Sequence, residues 1–234
     1  MQQALCLQHV PFEGPGFFCQ ALTTRHYELH CCVVPQEGLP KHQPDFLLVM
    51  GGPMSVNDSD PWIGRELQFI RQAIERGIPT LGVCLGSQFI AKAIGGHVKP
   101  GPVLELGPVP ITLTSEGRGD PVFSAFPDNL DVFQWHGEGI TLPSTAIPLA
   151  SSEKYPIQAF RYGHQTYGLL FHPELEPEGV EALCRECAND VRKAGTTAKV
   201  LLASAFPIFP HSHELADRMI AHLTGTARPN RTRK

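Results

Sequence analysis

Residues 79–96 read PTLGVCLGSQFIAKAIGG, in which an apolar run passes through a Gly-x-Cys-x-Gly turn into a second apolar run. Pro79 to Cys84 has the composition of a short buried strand. Ser87 to Ile94 is predicted to be a helix that is stopped by Gly95 and Gly96. A strand followed at once by a helix is the repeating unit of parallel α/β sheets. The segment therefore predicts an α/β fold with a sharp turn at Cys84.

The same alternation of strand and helix extends over the first 95 residues or so. Short apolar runs bounded by turn residues predict buried strands. Helices are predicted from apolar spacings of three and four, and Asp60 followed by Pro61 is typical of a helix start. The predicted strands are Gln3 to Val10, Glu28 to Val34 and Asp45 to Met50, and the predicted helices are Phe17 to Arg25 and Asp60 to Arg76. This pattern favours a parallel sheet with helices on both faces.

The second half of the chain has closely spaced strands, which extend a sheet in the antiparallel sense. They are Val109 to Thr114, Leu130 to Trp135, Ile147 to Ser152, Ile157 to Tyr162 and Thr166 to Phe171, and Pro100-Gly101-Pro102 is predicted to be a loop. Helices are predicted at Val180 to Ala194, Ala198 to Ala205 and His213 to Leu223.

Together these elements predict one α/β domain over residues 1–234, a mixed, mainly parallel sheet flanked by helices in a flavodoxin-like layering. Its core covers about residues 3–180, followed by a helical extension over about 181–225 and a basic tail at 226–234 that we expect to be inert.

Composition excludes several classes of protein. Of the 234 residues, 42% are hydrophobic and 18% charged, which rules out a coiled coil, collagen or wholesale disorder. The formal net charge of −4 offers no basic surface, so nucleic acid is not an expected partner. No apolar stretch approaches the roughly 20 residues that cross a membrane. Met1 to Ala4 also lacks the basic start of a signal peptide, so we expect a cytoplasmic location. The seven cysteines have no framework spacing, and in a reducing compartment we expect them to be free thiols.

The turn at Cys84 carries the most specific chemical signal. It has the form of a nucleophile elbow with cysteine in place of serine. Gly82 and Gly86 allow the backbone to turn sharply and to present the sulfur at the start of a helix. There, unpaired N–H groups and the helix dipole favour the thiolate. The alternative is a packed cysteine at a strand end, but the two glycines and the strand-to-helix context favour a nucleophile.

A thiolate nucleophile needs a proton donor for its leaving group, and that donor must itself be oriented. Phe171-His172-Pro173-Glu174 supplies both groups after a predicted strand. At the carboxyl end of that strand, His172 should project over the edge of the sheet where α/β enzymes hold their sites. Glu174 can accept a hydrogen bond from the imidazole. A packed or solvated histidine is the alternative interpretation.

Gly51-Gly52-Pro53 follows another predicted strand. Glycine allows a backbone N–H to approach a substrate carbonyl, so Gly52 and the residue after the nucleophile, Leu85, are candidates for an oxyanion hole. The alternative is an ordinary tight turn.

In this order and at these separations, the three segments around Gly52, Cys84 and His172 resemble those of the class I, or triad, glutamine amidotransferases. The resemblance covers roughly residues 3–180. Within the family the chain looks most like stand-alone members similar to the amidotransferase domain of GMP synthase. The segments that carry this likeness are His9 to Gly16, Gly51 to Ser55, Trp135 to Glu138 and Gln158 to Gly163.

The resemblance implies hydrolysis of the glutamine side-chain amide through a γ-glutamyl thioester on Cys84. His172 would protonate the departing ammonia and then activate water, with Glu174 orienting it. Backbone N–H groups of Gly52 and Leu85 would hold the oxyanion. The residues implied to bind substrate are Gly51, Pro53, Gln88, Gln134, Gly137 and Glu138. No cofactor is implied.

The sequence departs from the family at two places. Many members have glutamine where this chain has Leu170, and a Glu-Ile-Gly-Trp-like segment stands here as Glu105-Leu106-Gly107-Pro108. Both departures concern the substrate pocket more than the triad.

Three functions stay open on the sequence. The first is a glutaminase that passes ammonia to a separate synthase. The second is a hydrolase of γ-glutamyl peptides, such as glutathione, that uses the same triad. The third is an inactive binding or regulatory module on the same fold. The acceptor of ammonia and the oligomeric state are not predicted.

Other cysteines and histidines have structural interpretations. Cys184 and Cys187 form a lone C-x-x-C pair in a predicted helix, which is too few ligands for zinc. His211 and His213 are predicted to lie on a solvated loop flanked by proline. The Cys31-Cys32 pair is predicted to pack in a buried strand.

Overall fold

One nine-stranded mixed sheet runs through residues 1–226, the part of the chain that the computed structural model describes. In chain order its strands are β1 (Gln2–Gln8), β2 (Tyr27–Val33), β3 (Phe46–Val49), β4 (Thr80–Val83), β5 (His97–Leu113), β6 (Asn129–Thr141), β7 (Ala146–Ser151), β8 (Ala159–Tyr162) and β9 (Thr166–Leu169). The order across the sheet is β2-β1-β3-β4-β9-β8-β7-β5-β6.

Helices cover both faces of this sheet. They are α1 (Phe17–Thr23), α2 (Val34–Glu37), α3 (Pro61–Glu75), α4 (Leu85–Ala93), α5 (Ser115–Arg118), α6 (Pro177–Glu186), α7 (Ala188–Lys193), α8 (Ala198–Ala205) and α9 (Phe209–Leu223), with a 3-10 turn at Phe123–Ala125. One core layer packs α1 and α9 against the sheet, and the other packs α3 and α4. The predicted α/β class, with a mixed sheet between helices, is confirmed.

The parallel part of the sheet positions the candidate site. Five adjacent strands, β2, β1, β3, β4 and β9, pair in parallel, so their carboxyl ends meet at one edge. The residues that follow β1, β3, β4 and β9 at this edge include His9, Gly51, Cys84 and His172. Strands β5 to β8 add antiparallel ladders on the far side.

Four local predictions are wrong, each for a physical reason. Strand β2 is the edge of the sheet and is half exposed, so Cys31 faces solvent. Pro100 to Pro102 lies within β5, at a shift in register where proline removes no ladder bond. The helix predicted from Val180 to Ala194 is divided at Cys187 into α6 and α7.

The fourth concerns His211 and His213, which lie in the first turns of α9. Pro210 was interpreted as a loop residue, but it stands near the helix start, where its missing N–H costs nothing. The imidazoles bind backbone carbonyls of Asp131 and Leu175.

Other predicted features either agree with the structure or lie outside the residues that it describes. Helix α3 begins at Pro61 and is followed by Gly77 with φ +70°, as its predicted start and stop require. The predicted basic tail lies outside the described residues, apart from Thr226. Within residues 1–226, no helix is long and apolar enough to cross a membrane.

Two glycines allow the turn between β4 and α4 to pack against its neighbours. A Cβ on Gly82 would lie 2.5 Å from the carbonyl oxygen of Gly86, and a Cβ on Gly86 would lie 2.0 Å from the carbonyl oxygen of Val49. Neither contact can be relieved by rotating a side chain, because both partners are backbone atoms. The turn therefore requires glycine on each side of Cys84.

We expect Gly86→Ala to lower the free energy of unfolding by about 1–3 kcal/mol, since the methyl group must displace the end of β3. The matched control is Gly64→Ala on the exposed face of α3, where nothing lies within 4 Å of the added Cβ. That change should stabilise the protein by about 0.5–1 kcal/mol. Urea unfolding of the three proteins measures both effects, and equal stability of the Gly86 variant and the parent would contradict the packing argument.

Candidate active site

Cys84 stands at the sharp turn predicted from the sequence. Its backbone has φ +50° and ψ −112°, a region that residues other than glycine rarely adopt. Helix α4 begins at the next residue, Leu85, whose backbone N–H has no intrahelical acceptor. The thiol is 6% exposed, and its Sγ lies 3.5 Å from the carbonyl oxygen of Trp135. The strain of this turn thus places the sulfur at a helix N-terminus.

His172 and Glu174 form a buried pair just beyond β9. Imidazole Nδ1 donates to Glu174 Oε1 at 2.8 Å, and both side chains are almost completely enclosed. The backbone N–H of His172 donates to the carbonyl oxygen of Phe133 at 2.9 Å, which fixes the position of the residue on the sheet. Nε2 is buried and has no hydrogen-bond partner in the described chain. That nitrogen is free to exchange a proton with a bound molecule.

The environment of His172 favours its charged form. Burial alone would lower the pKa of the imidazole, but the Glu174 carboxylate and the Cys84 thiol outweigh it, and the pKa lies well above the usual value. A charged imidazole beside the Cys84 thiol is a ready proton donor.

A cavity of about 210 Å³ joins these groups, and we call it the first cavity. Cys84 and His172 both line it. Six of the other predicted residues do so as well, namely Gly52, Pro53, Leu85, Gln88, Gly137 and Glu138. Gly52 packs so closely that a Cβ there would lie 2.9 Å from His9 Cβ and 3.0 Å from Leu85 Cδ2. The two candidate oxyanion residues are therefore neighbours beside the thiol.

Comparison with known proteins identifies the family. The family model described as Glutamine amidotransferase class-I matches residues 18–187. The chain belongs to this family. The structure agrees, since a glutamine amidotransferase crystal structure from Thermotoga maritima superposes with a TM-score of 0.86 at 28% identity, covering 95% of this chain and 98% of that one.

Curated relatives of this family member differ in their described activities. A glutamine amidotransferase-like protein, YfeJ, from Salmonella typhimurium is 34% identical over 80% of this chain and 81% of its own. A gamma-glutamyl-L-1-hydroxyisopropylamide hydrolase from a Pseudomonas species is 28% identical over 82% of this chain and 69% of its own. A glutamine-hydrolyzing GMP synthase from Neisseria meningitidis is 32% identical, but the match covers 63% of this chain and 28% of the synthase.

Two predicted substrate-binding residues do not line the first cavity. Gly51 is not among its lining residues, and the Glu13 carboxylate occupies the space that a Cβ on Gly51 would need. Gln134 is completely buried in β6, and its Nε2 donates to Gln158 Oε1 at 2.8 Å. Gln158 in turn donates to Glu105 at 2.7 Å. Gln134 therefore belongs to a polar network behind the first cavity and does not line that cavity.

That network also includes Glu105, the first residue of the segment Glu105-Leu106-Gly107-Pro108. Its carboxylate lies 3.2 Å from His136 Nε2 and accepts a hydrogen bond from Ser152. Burial would raise the pKa of Glu105, but these partners lower it below its usual value. His136 lines the first cavity, so Glu105 holds one of its walls in place.

Sequence reasoning missed the role of His9. Its Nδ1 lies 2.9 Å from the Gly51 carbonyl oxygen and its Nε2 lies 3.1 Å from Glu66 Oε1, with both side chains fully buried. The ring stacks on Phe89 of α4 at a centroid distance of 5.2 Å. His9 therefore ties the Gly51-Gly52 turn to α3 and α4. The available signal was its place directly after β1, at the same sheet edge as Cys84.

Glu13 was also missed, and it lies beside His172. A Cβ on Gly51 would lie 2.1 Å from Glu13 Oε2 and 3.4 Å from His172 Cε1, so the carboxylate approaches the imidazole across that glycine. The loop that bears Glu13 is anchored at its end. The Phe17 N–H donates to the Glu174 carbonyl oxygen at 2.9 Å, and a Cβ on Gly16 would lie 2.2 Å from that same oxygen.

Burial dominates the titration of Glu13. It raises the pKa of the carboxyl to about 6, although His172 opposes the shift. Within residues 1–226, no three His, Cys, Asp or Glu side chains are arranged to hold a metal ion.

We expect Glu13→Gln to raise the free energy of unfolding by about 2 kcal/mol at pH 8, because the variant no longer buries a charge. The pKa of Glu13 is higher in the folded state than in the unfolded state. The stability of the parent protein that comes from a protonated Glu13 is therefore fully present below pH 4.5 and is lost as the pH rises through about 6. The gain should therefore shrink toward pH 4.5. Thermal unfolding across this range tests the expectation, with the exposed Glu181→Gln on α6 as control. A gain independent of pH would contradict it.

Proposed function

We propose that the protein hydrolyses the side-chain amide of glutamine or of a γ-glutamyl compound through a thioester on Cys84. The observation that carries this proposal is the placement of one strained cysteine and one unpartnered imidazole nitrogen in the wall of the same cavity. Glu174 completes a Cys-His-Glu triad by its hydrogen bond to the other imidazole nitrogen.

In the acylation step, Cys84 Sγ attacks the amide carbonyl carbon and forms the S–C bond. The carbonyl oxygen gains negative charge, which backbone N–H groups of Gly52 and Leu85 stabilise. His172 then gives its Nε2 proton to the amide nitrogen, the C–N bond breaks, and ammonia or an amine leaves. Glu174 stabilises the imidazolium before that transfer and holds the ring in one orientation.

In the deacylation step, the now neutral His172 takes a proton from water, and the resulting hydroxide attacks the thioester carbon. The C–S bond breaks and glutamate is released. The imidazolium and thiolate that remain are the starting pair for another cycle. The same two residues therefore serve both steps.

Substrate recognition has support in two polar groups of the first cavity. Gln88 Oε1 is buried without a hydrogen-bond partner in the described chain, so it can accept from the substrate α-ammonium. Glu138 lines the same cavity, and its carboxylate accepts a hydrogen bond from Ser55 at 2.9 Å. We propose that these side chains, with backbone at Gly137 and Pro53, hold the glutamyl group.

Two fates of the amine remain candidates. In the first, ammonia passes to a separate synthase that uses it. In the second, the enzyme acts as a hydrolase of substituted γ-glutamyl amides, which the similarity to a gamma-glutamyl-L-1-hydroxyisopropylamide hydrolase supports. An inactive module is disfavoured, because a binding protein has no physical need of a complete and buried triad.

We expect Cys84→Ala to lower kcat/KM for glutamine by at least about 10⁴-fold, because no other group supplies the thioester sulfur. The matched control is Cys19→Ala, an exposed cysteine on α1 that should retain full activity. Coupled detection of glutamate measures both variants. Mass spectrometry of the parent protein treated with a diazo-ketone analogue of glutamine should show one added mass on Cys84. Labelling of another cysteine, or glutamate release by the Ala variant, would contradict the proposal.

We expect Glu174→Gln to lower kcat by about 10²–10⁴-fold with a much smaller change in KM, since the carboxylate orients the imidazole and does not hold substrate. Removing its charge lowers the pKa of His172, so the alkaline limb of the kcat/KM profile should move to lower pH. The pH–rate profiles of the two proteins provide the measurement. An unshifted limb would show that Glu174 does not control the charge of His172.

A further inference from the structure

A second cavity of about 100 Å³ adjoins the first on the other side of the triad histidine. Glu13, His172 and Leu183 line both cavities and form the partition between them. The remaining walls of the second cavity come from the loop before α1 and from the segment that leads into α6. None of the chemistry proposed above uses this space.

The second cavity is acidic. Four glutamates line it, Glu13 and Glu174 in its interior and Glu176 and Glu178 on its exposed side, and none of its walls within the described chain is lysine or arginine. Glu176 and Glu178 flank the start of α6, where negative charge stabilises a helix. The stabilisation of α6 thus explains the two exposed glutamates without any bound ligand.

An unsatisfied atom gives independent evidence for an occupant. Glu174 lines the second cavity and not the first, and its Oε2 is buried without a hydrogen-bond partner in the described chain. Its other oxygen is used by His172. A buried carboxylate oxygen without a donor is costly, so the group that satisfies it must be a hydrogen-bond donor. The second cavity therefore favours a bound group that donates hydrogen bonds over one that only accepts them.

The position of the second cavity relates it to the leaving group. In the proposed acylation step, the amide nitrogen receives a proton from His172 and so lies against the imidazole. A substituent on that nitrogen then extends toward the partition formed by Glu13 and His172. The volume suits about three water molecules or a chain of two or three heavy atoms with its ammonium or hydroxyl group.

On the basis of the proposed function, we propose that the second cavity binds the amine-side substituent of γ-glutamyl amides and selects substituents that carry a positive charge or a hydroxyl donor. An amine-side ammonium or hydroxyl would donate to the glutamate oxygens. An amine-side carboxylate would face four glutamates against the single imidazole of His172, and like charges in an enclosed site are repelled. The inference favours γ-glutamylated amines over γ-glutamyl peptides as substrates.

The experiment compares four substrates of the full chain at low ionic strength and pH 7.5. They are glutamine and three γ-glutamyl amides, in which the γ-carboxyl group is joined to an amino group of 1,2-diaminoethane, ethanolamine or glycine. The amine sides of these three amides are positive, neutral and negative, respectively. We expect kcat/KM for the diaminoethane amide to exceed that for the glycine amide by at least about tenfold, with the ethanolamine amide between them. Equal values for the three amides, or a preference for the glycine amide, would overturn the inference.

A charge reversal connects this preference to the second cavity. Glu178→Lys should reduce the diaminoethane-to-glycine ratio of kcat/KM by about tenfold, because it replaces a negative wall with a positive one. Glu181→Lys makes the same change in net charge on the exposed face of α6, away from the second cavity, and should leave the ratio as in the parent. Equal ratios in the two variants would overturn the assignment. If none of the four substrates is hydrolysed, the proposed function itself is refuted. If the amides are hydrolysed at rates that do not depend on the charge of the amine, only the role assigned to the second cavity is refuted.

Discussion

The close approach of two backbone segments is the constraint on which the site depends. Gly86 lies so near the end of β3 that no side chain fits between it and the Val49 carbonyl oxygen. This contact holds the start of α4 against the sheet and leaves Cys84 to absorb the sharp change of direction. The positive φ of Cys84 is thus a consequence of packing, and the presentation of its sulfur follows from that backbone.

The edge at which the parallel strands end brings the other residues of the site to Cys84. Histidine, glycine, cysteine and a second histidine follow four different strands, and only the sheet order brings them together. Each is then fixed by a buried bond, such as that from His9 to Gly51 or from His172 to Glu174. The candidate catalytic groups are therefore held by the sheet and by buried hydrogen bonds.

Features encoded locally could be predicted from the sequence. The turn at Cys84 and the pairing of His172 with Glu174 need only a few adjacent residues, and both are present in the structure. The pairing of His9 with Glu66 spans 57 positions and depends on how α3 packs, so no local pattern reveals it. Gln134 was misplaced for a related reason, because alternation along a strand does not say which side chains reach the cavity. The exposure of β2 likewise depends on its place at the end of the strand order.

The anchoring of Phe17 and Gly16 on the Glu174 carbonyl has a consequence for how the proposed selectivity can be altered. The family model begins at residue 18, and His9 and Glu13 precede that residue. The loop that bears Glu13 is held against Glu174 at its end. One wall of the second cavity therefore comes from a stretch of chain separate from Cys84 and His172. On the proposals made above, replacing the loop that bears Glu13 would change which amines fit the second cavity, while Cys84, His172 and Glu174 keep their positions.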